Sequence, residues 1–254
     1  MTGSELKDTT APADAKAFRD ARARVLARIA GAAGRVGRDP AEVTLVAVSK
    51  TVPVERLQAA IEGGLTILGE NRVQEAAAKV SLLTGAQWEL VGPLQSNKAR
   101  RALETFDRIE SVDSVDLARR LDRIVPEVRP GGRYPVLVQV NVDRDPSKAG
   151  FGPDALTAAI EPLASLPNLA VQGLMTIGRL TLDADESRAT FRRLRDIAAA
   201  LRTTWPALGP ELSMGMTDDF EIAVEEGATI VRVGRALFGE RPHEHDALDD
   251  HHVG

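Results

Sequence analysis

The sequence predicts an α/β protein folded as a single (β/α)8 TIM barrel with an extra N-terminal helix. Eight short β-branched or apolar runs recur along the chain, and longer amphipathic stretches separate them, which is the pattern of βαβ units around a parallel sheet. Eight such runs close a barrel. The 254 residues, 43% of them hydrophobic, suffice for one large core, and no linker, repeat or shift in composition divides them.

Residues 1–14 (MTGSELKDTTAPAD) lack the apolar core of a signal peptide and read as a disordered tail; the barrel is expected over 15–241, and 242–254 reads as a second, His/Asp-rich disordered tail. A helix of about Asp14–Ala33 precedes the barrel, because Phe18, Ala21, Val25 and Ile29 fall three to four apart on one face and Asp14 suits an N-cap. The strands are expected at Val43–Ser49, Thr66–Gly69, Trp88–Gly92, Arg108–Val112, Pro135–Val142, Ala170–Leu174, Glu211–Met214 and Thr229–Val233. Between them, helices are expected at Val54–Glu62, Arg72–Leu82, Asn97–Thr105, Val115–Val128, Pro153–Ala164, Asp185–Thr204 and Asp218–Glu226.

Composition narrows the function. Thirty-two basic against thirty-seven acidic side chains give a net charge of −5, with no basic block and few aromatics, which argues against a nucleic-acid partner. No stretch approaches the roughly 20 apolar residues that span a bilayer. The absence of cysteine removes disulfides, thiolate nucleophiles and cysteine-held metals, and fits the cytoplasm. All four histidines (His243, His245, His251 and His252) lie in the final stretch, so histidine triads and histidine-held metals are not expected in the barrel. No apolar helix face marks an interface, and a monomer is expected.

In such barrels the site forms in the loops after the strands. Lys50 succeeds LVAVS, and the alternation of Val46 and Val48 aims it into the barrel mouth. Partial desolvation there favours the neutral amine, a nucleophile toward an aldehyde, although a lysine paired with a rim carboxylate has the same pattern. After strand seven, Ser213, Gly215 and Thr217 offer hydroxyls and close backbone approach, and after strand eight Gly234 offers another N–H; barrels often bind phosphate at these two loops. The same residues also suit an ordinary turn with Thr217 as helix N-cap. Arg232, inside an apolar strand, needs an acceptor, either a ligand phosphate or ring nitrogen or a structural carboxylate. Met175 suits either support of a flat ring or plain core.

The stretches VAVSKTVP (46–53), LGENRVQEA (68–76), WELVGPLQSNKAR (88–100), VNVDRDPSKAGF (140–151), QGLMTIG (172–178) and LSMGMTDDFEIAVEEGATIVRVGRALFGER (212–241) stand in one order along the chain. In these the chain resembles the pyridoxal phosphate homeostasis proteins (YggS/PROSC type), relatives of the alanine racemase barrel domain. The resemblance implies a fold-type III barrel without the second β domain, binding pyridoxal 5'-phosphate (PLP) as a covalent aldimine on Lys50. It further implies Asn71 facing the ring, Met175 close to the cofactor, Ser213, Thr217 and Gly234 at the phosphate, Arg232 near the pyridine, and Lys148 near the site. Two positions depart from the family pattern. Glu89 stands where histidine is common, and Arg235 stands where a threonine or serine often contacts phosphate, so an arginine there either replaces that contact electrostatically or points outward.

The resemblance implies a role in PLP homeostasis, with PLP-dependent acceptor enzymes as partners. A racemase is the rival, but it needs a second acid/base, and Tyr134, the single tyrosine, sits at the start of strand five, the far end of the barrel. An arginine at the pyridine nitrogen would also weaken the ring as an electron sink. The expectation is therefore a cofactor holder with little turnover. A cofactor-free Schiff-base aldolase on a phosphosugar is the other alternative, colourless where an aldimine is yellow.

Overall fold

Asp14 starts the first helix of the computed structural model, its carboxylate accepting from the Lys16 backbone N–H at 2.8 Å ahead of α1 (Ala15–Arg35). The structure describes residues 14–178, 181 and 183–239. The expected tails, apart from Asp14, and all four histidines lie outside these residues. Phe18, Ala21, Val25 and Ile29 are buried along α1 as their spacing requires.

The strands are β1 (Thr44–Val48), β2 (Ile67–Glu70), β3 (Gln87–Leu90), β4 (Arg108–Val112), β5 (Tyr134–Gln139), β6 (Leu169–Met175), β7 (Glu211–Ser213) and β8 (Ile230–Val233). They pair in parallel in chain order, and β8 returns to β1, with Thr44 opposite Ile230 and Val46 opposite Arg232, closing the barrel. Helices α2 (Val54–Glu62), α3 (Val73–Val80), α4 (Ala99–Thr105), α5 (Val115–Val128), α6 (Pro153–Ala164), α7 (Ala184–Thr204), α8 (Phe220–Glu225) and α9 (Arg235–Phe238) come after the successive strands. Helices α2, α5 and α6 have the predicted bounds. No described helix is long and apolar enough to cross a membrane.

Three expectations are corrected. β1 ends at Val48 and β5 at Gln139, short of Ser49 and Val142: Ser49 and Val140 still donate to the Gly69 and Met175 carbonyls at 2.9 and 2.8 Å, and beyond them the chain turns to other partners, with Val140 bridged to Phe151. The helix expected from Asp218 begins at Phe220, with Asp219 rather than Thr217 at the N-cap. The four-residue α9 has no counterpart among the expected helices, since one turn carries no periodicity.

Alternation along the strands sorts the side chains into two cores. Outward residues such as Ala47, Leu68, Leu90, Ile109, Val138 and Leu174 pack under the helices. Inward residues Val46, Val91, Leu137, Met175 and Ile230 form a separate apolar group inside the barrel. The same interior takes buried Glu89, Glu110, Ser213 and Arg232, so the lumen is partly polar.

Gly173 sets how closely β6 and β7 approach. A Cβ on it would lie 2.0 Å from the Glu211 carbonyl oxygen and 2.8 Å from its nitrogen, both backbone atoms that cannot move aside alone. Gly173→Ala should therefore destabilise the protein by about 1–3 kcal/mol, the usual range for overpacking. The check is the denaturation midpoint in urea, and an unchanged midpoint would show that the strands separate at no cost.

Candidate active site

Lys50 stands two residues beyond Val48, which packs against the interior apolar group, and it is half-buried. Behind it, on the helix side of the sheet, is a buried polar cluster. The Ser49 hydroxyl donates to Glu70 Oε1 at 2.6 Å, and Lys79 Nζ on α3 donates to Glu70 Oε1 at 2.8 Å, to Glu75 Oε1 at 2.7 Å and to the Ser49 carbonyl at 3.0 Å. Glu75 Oε1 also accepts from the Thr51 N–H at 2.7 Å, and Thr51 is held at φ +66°, a strained value for a β-branched residue. Lys50 is thus gripped on both sides by neighbours tied to one ammonium. Burial raises the Glu70 pKa despite its bonds to Lys79 and Ser49, whereas for Glu75 the bonds to Lys79 and Thr51 outweigh burial and lower it. Asn71 comes directly after Glu70, and its backbone lies so near Gly92 that a Cβ there would be 2.4 Å from the Asn71 oxygen.

The turn after β8 meets the end of β1, and the Gly215 carbonyl in the loop after β7 accepts from the Arg232 N–H of β8 at 3.0 Å. A Cβ on Gly234 would fall 3.3 Å from the Val48 carbonyl oxygen, so the turn into α9 lies against the strand that carries Lys50. Gly215 has φ +90°, and a Cβ on it would lie 2.5 Å from Ala223 Cβ, so only glycine lets this loop close onto α8. Asp219 Oδ1 accepts from the Met216 N–H at 2.6 Å and fixes the turn that presents Thr217. Arg235 pairs with the Asp218 carboxylate, joining the two loops. Its guanidinium therefore has a protein partner at the exposed rim.

Inside the mouth, Arg232 is almost fully buried. Its Nη1 donates to the Ser213 hydroxyl at 2.6 Å and its Nη2 to the Thr176 carbonyl at 2.7 Å; Glu110 Oε2 is 3.8 Å from Nη1 and accepts from the Ser213 hydroxyl at 2.5 Å. Burial lowers the Arg232 pKa, and Glu110 opposes that shift. The structural carboxylate that an interior arginine needs is thus Glu110, and Ser213 spends its hydroxyl linking the two rather than facing the loops. Deeper in the barrel, Arg108 donates to Glu89 Oε1 at 2.7 Å and to Glu211 Oε2 at 2.6 Å. Met175 is fully buried in the apolar group. Lys148 donates to the Gly178 carbonyl at 2.6 Å, bracing the loop after β5 against the end of β6.

The family model of the alanine racemase N-terminal domain matches residues 16–242. A pyridoxal phosphate homeostasis protein of Pseudomonas aeruginosa is 46% identical over 224 residues, covering 86% of this chain and 94% of that protein. The chain belongs to the pyridoxal phosphate homeostasis protein family. PipY of Synechococcus elongatus, solved without PLP, aligns with TM-score 0.75 at 45% identity over 85% of this chain and all of that one. PipY solved with PLP bound aligns with TM-score 0.77 at 42% identity over 87% of this chain and all of that one.

The strand ends at this mouth carry a half-buried amine, the Gly215 loop that admits no side chain, the Gly234 turn against β1, the Thr217 hydroxyl and a buried guanidinium. Sequence reasoning missed Glu70 and Lys79, which set the Lys50 turn, and Glu110, which holds Ser213 and Arg232. Only the last carried a signal, an acidic residue inside the apolar run RIESV.

Lys79→Met should destabilise the protein by about 3–5 kcal/mol at neutral pH, because Glu70 is left as a buried charge without its cation. The variant's Glu70 pKa rises further above its unfolded value, so the folded state takes up a proton and the penalty shrinks as pH falls toward the ordinary carboxylate range. Denaturant midpoints at pH 5 and pH 8 measure this. A penalty equal at both values would show that Glu70 does not depend on Lys79.

Proposed function

We propose that this protein holds PLP at the barrel mouth as an imine on Lys50 and serves intracellular PLP homeostasis with little catalytic turnover of its own. The observation that carries the reading is the contact of Gly234 with the end of β1, since it brings the lysine and the two glycine loops to one end of the barrel. In this reading Gly215, Thr217 and Gly234 receive the phosphate, Asn71 and Met175 border the ring, and Arg232 faces the pyridine. Ser213 acts through Arg232, and Arg235 holds the cup together by its bond to Asp218.

Bound PLP supplies an aldehyde and an electron-withdrawing ring. The chain's own residues restrict the chemistry open to it. Tyr134, the single tyrosine, opens β5, and its hydroxyl donates to the Phe106 carbonyl at 2.7 Å. Burial pushes the phenol far above its usual pKa, so it is no base for the site. An arginine held by Ser213, the Thr176 carbonyl and Glu110 opposes protonation of a ring nitrogen beside it. We place the protein in the cytosol as a monomer, with PLP-dependent acceptor enzymes as recipients.

Purified protein should absorb in the visible, and borohydride should fix a phosphopyridoxyl group that mass mapping locates on Lys50; Lys50→Ala should remove the adduct and keep the circular-dichroism spectrum. An adduct on another lysine would move the anchor. Turnover of any amino acid at roughly 1 per second, an ordinary enzyme rate, would replace the holder reading with a racemase-type enzyme.

A further inference from the structure

Among the described residues, three carboxyls and two guanidinia bond to one another in and at the foot of the barrel interior, Glu211 being the partly exposed member. Glu211 and Glu89 flank Arg108, while Glu110 serves Arg232 through Ser213. With all five ionised, one negative charge would stay uncompensated in a region where Glu89, Glu110 and Arg232 are nearly sealed from solvent. The hydrogen bonds show where the imbalance sits. Glu89 Oε1 is taken by Arg108 and Glu110 Oε2 by Ser213, while Glu89 Oε2 and Glu110 Oε1 have no partner among the described residues. Glu89 on β3 and Glu110 on β4 enter the same lumen from neighbouring strands, Glu89 standing opposite Arg108, two residues before Glu110, and both are buried. Two carboxylates so placed repel, and one proton between them satisfies both oxygens and neutralises the cluster.

We infer that Glu89 is a neutral carboxylic acid at pH 7, donating from Oε2 to Glu110 Oε1, and that this bond positions Arg232 at the barrel mouth through Ser213. Glu110 is the acceptor in this bond, because its other oxygen accepts the Ser213 hydroxyl and faces the Arg232 guanidinium at 3.8 Å. Arg108 divides its one positive charge between two carboxyls, its Nη2 donating to Glu89 Oε1 at 2.7 Å and its Nη1 to Glu211 Oε2 at 2.6 Å. The charged and titratable groups around Glu89 are Arg108 and Glu110 on β4, Glu211 on β7, Arg232 on β8 and the Tyr134 phenol on β5. Burial, then repulsion from Glu110, raises the Glu89 pKa well above the usual carboxylate range. The folded state thus carries one proton more than the unfolded chain above that range, and stability falls as pH rises through it.

Two variants test this. Glu89→Gln reproduces the acid, with an N–H for Glu110 and an oxygen for Arg108; Glu89→Leu breaks the chain of bonds. The apoprotein at pH 7 should show the infrared carbonyl band of a protonated carboxyl, absent in Glu89→Gln. The wild-type folding constant should fall with rising pH up to about tenfold per unit more steeply than that of the glutamine variant. A missing band, or parallel pH profiles, overturns the proton assignment. For the positioning role, which rests on the proposed PLP site, Glu89→Leu should lose about tenfold in PLP affinity, near 1.4 kcal/mol, and Glu89→Gln should recover most of it. Equal affinities in wild type and Glu89→Leu, or no recovery in Glu89→Gln, overturn that role. Wild-type protein that retains no PLP would instead defeat the functional reading, while the apoprotein measurements still decide the proton.

Discussion

Closing eight parallel strands creates a lumen that must be filled, and in this barrel part of the filling is charge. A hydrogen-bonded series from Glu110 through the Ser213 hydroxyl to Arg232 and the Thr176 carbonyl crosses from β4 to β7, β8 and the end of β6. The arginine at the mouth can exist only because of it. An unpaired guanidinium among Val46, Leu137 and Met175 would be expelled or would lose its proton. The shape and charge of the mouth depend on this fixed cation and on the small apolar group beside it.

A second constraint acts outside the lumen. Lys79 gathers Glu70, Glu75 and the Ser49 carbonyl around one ammonium, and Glu75 reaches on to the Thr51 N–H. The turn that carries Lys50 is therefore fixed from the helix side. The two clusters divide the work. One sets the backbone of the amine, and the other sets the cation across the mouth, with the Gly215 and Gly234 loops between them. A site supported on both sides by buried hydrogen bonds can be rigid even though its loops lie at the surface.

Rigidity of this kind is what the proposed holding of PLP would use. Catalysis on a bound PLP calls for a mobile proton donor and acceptor on the ring's faces. Here the single tyrosine is locked to the Phe106 carbonyl at the opposite end, and the interior acids are bonded to Arg108 and to Ser213. The homeostasis relatives and PipY with PLP bound share this barrel over nearly their whole length.

Local signals decided much of this in advance. Alternation and 3.6-residue periodicity depend on near neighbours, so the order of elements, the bounds of α2, α5 and α6, and the position of Lys50 after β1 were legible in the chain. Gly215 and Gly234 were legible for the same reason, as breaks in apolar runs. What the sequence could not settle were pairings between residues far apart along it: Glu110 with Ser213, Lys79 with the Ser49 carbonyl, Arg235 with Asp218. Each of these residues has several eligible partners by chemistry alone. Only the tertiary fold chose among them, and barrel closure, which brings β4, β7 and β8 around one lumen, decided that Ser213 bonds inward and that Arg232 has a carboxylate to balance it.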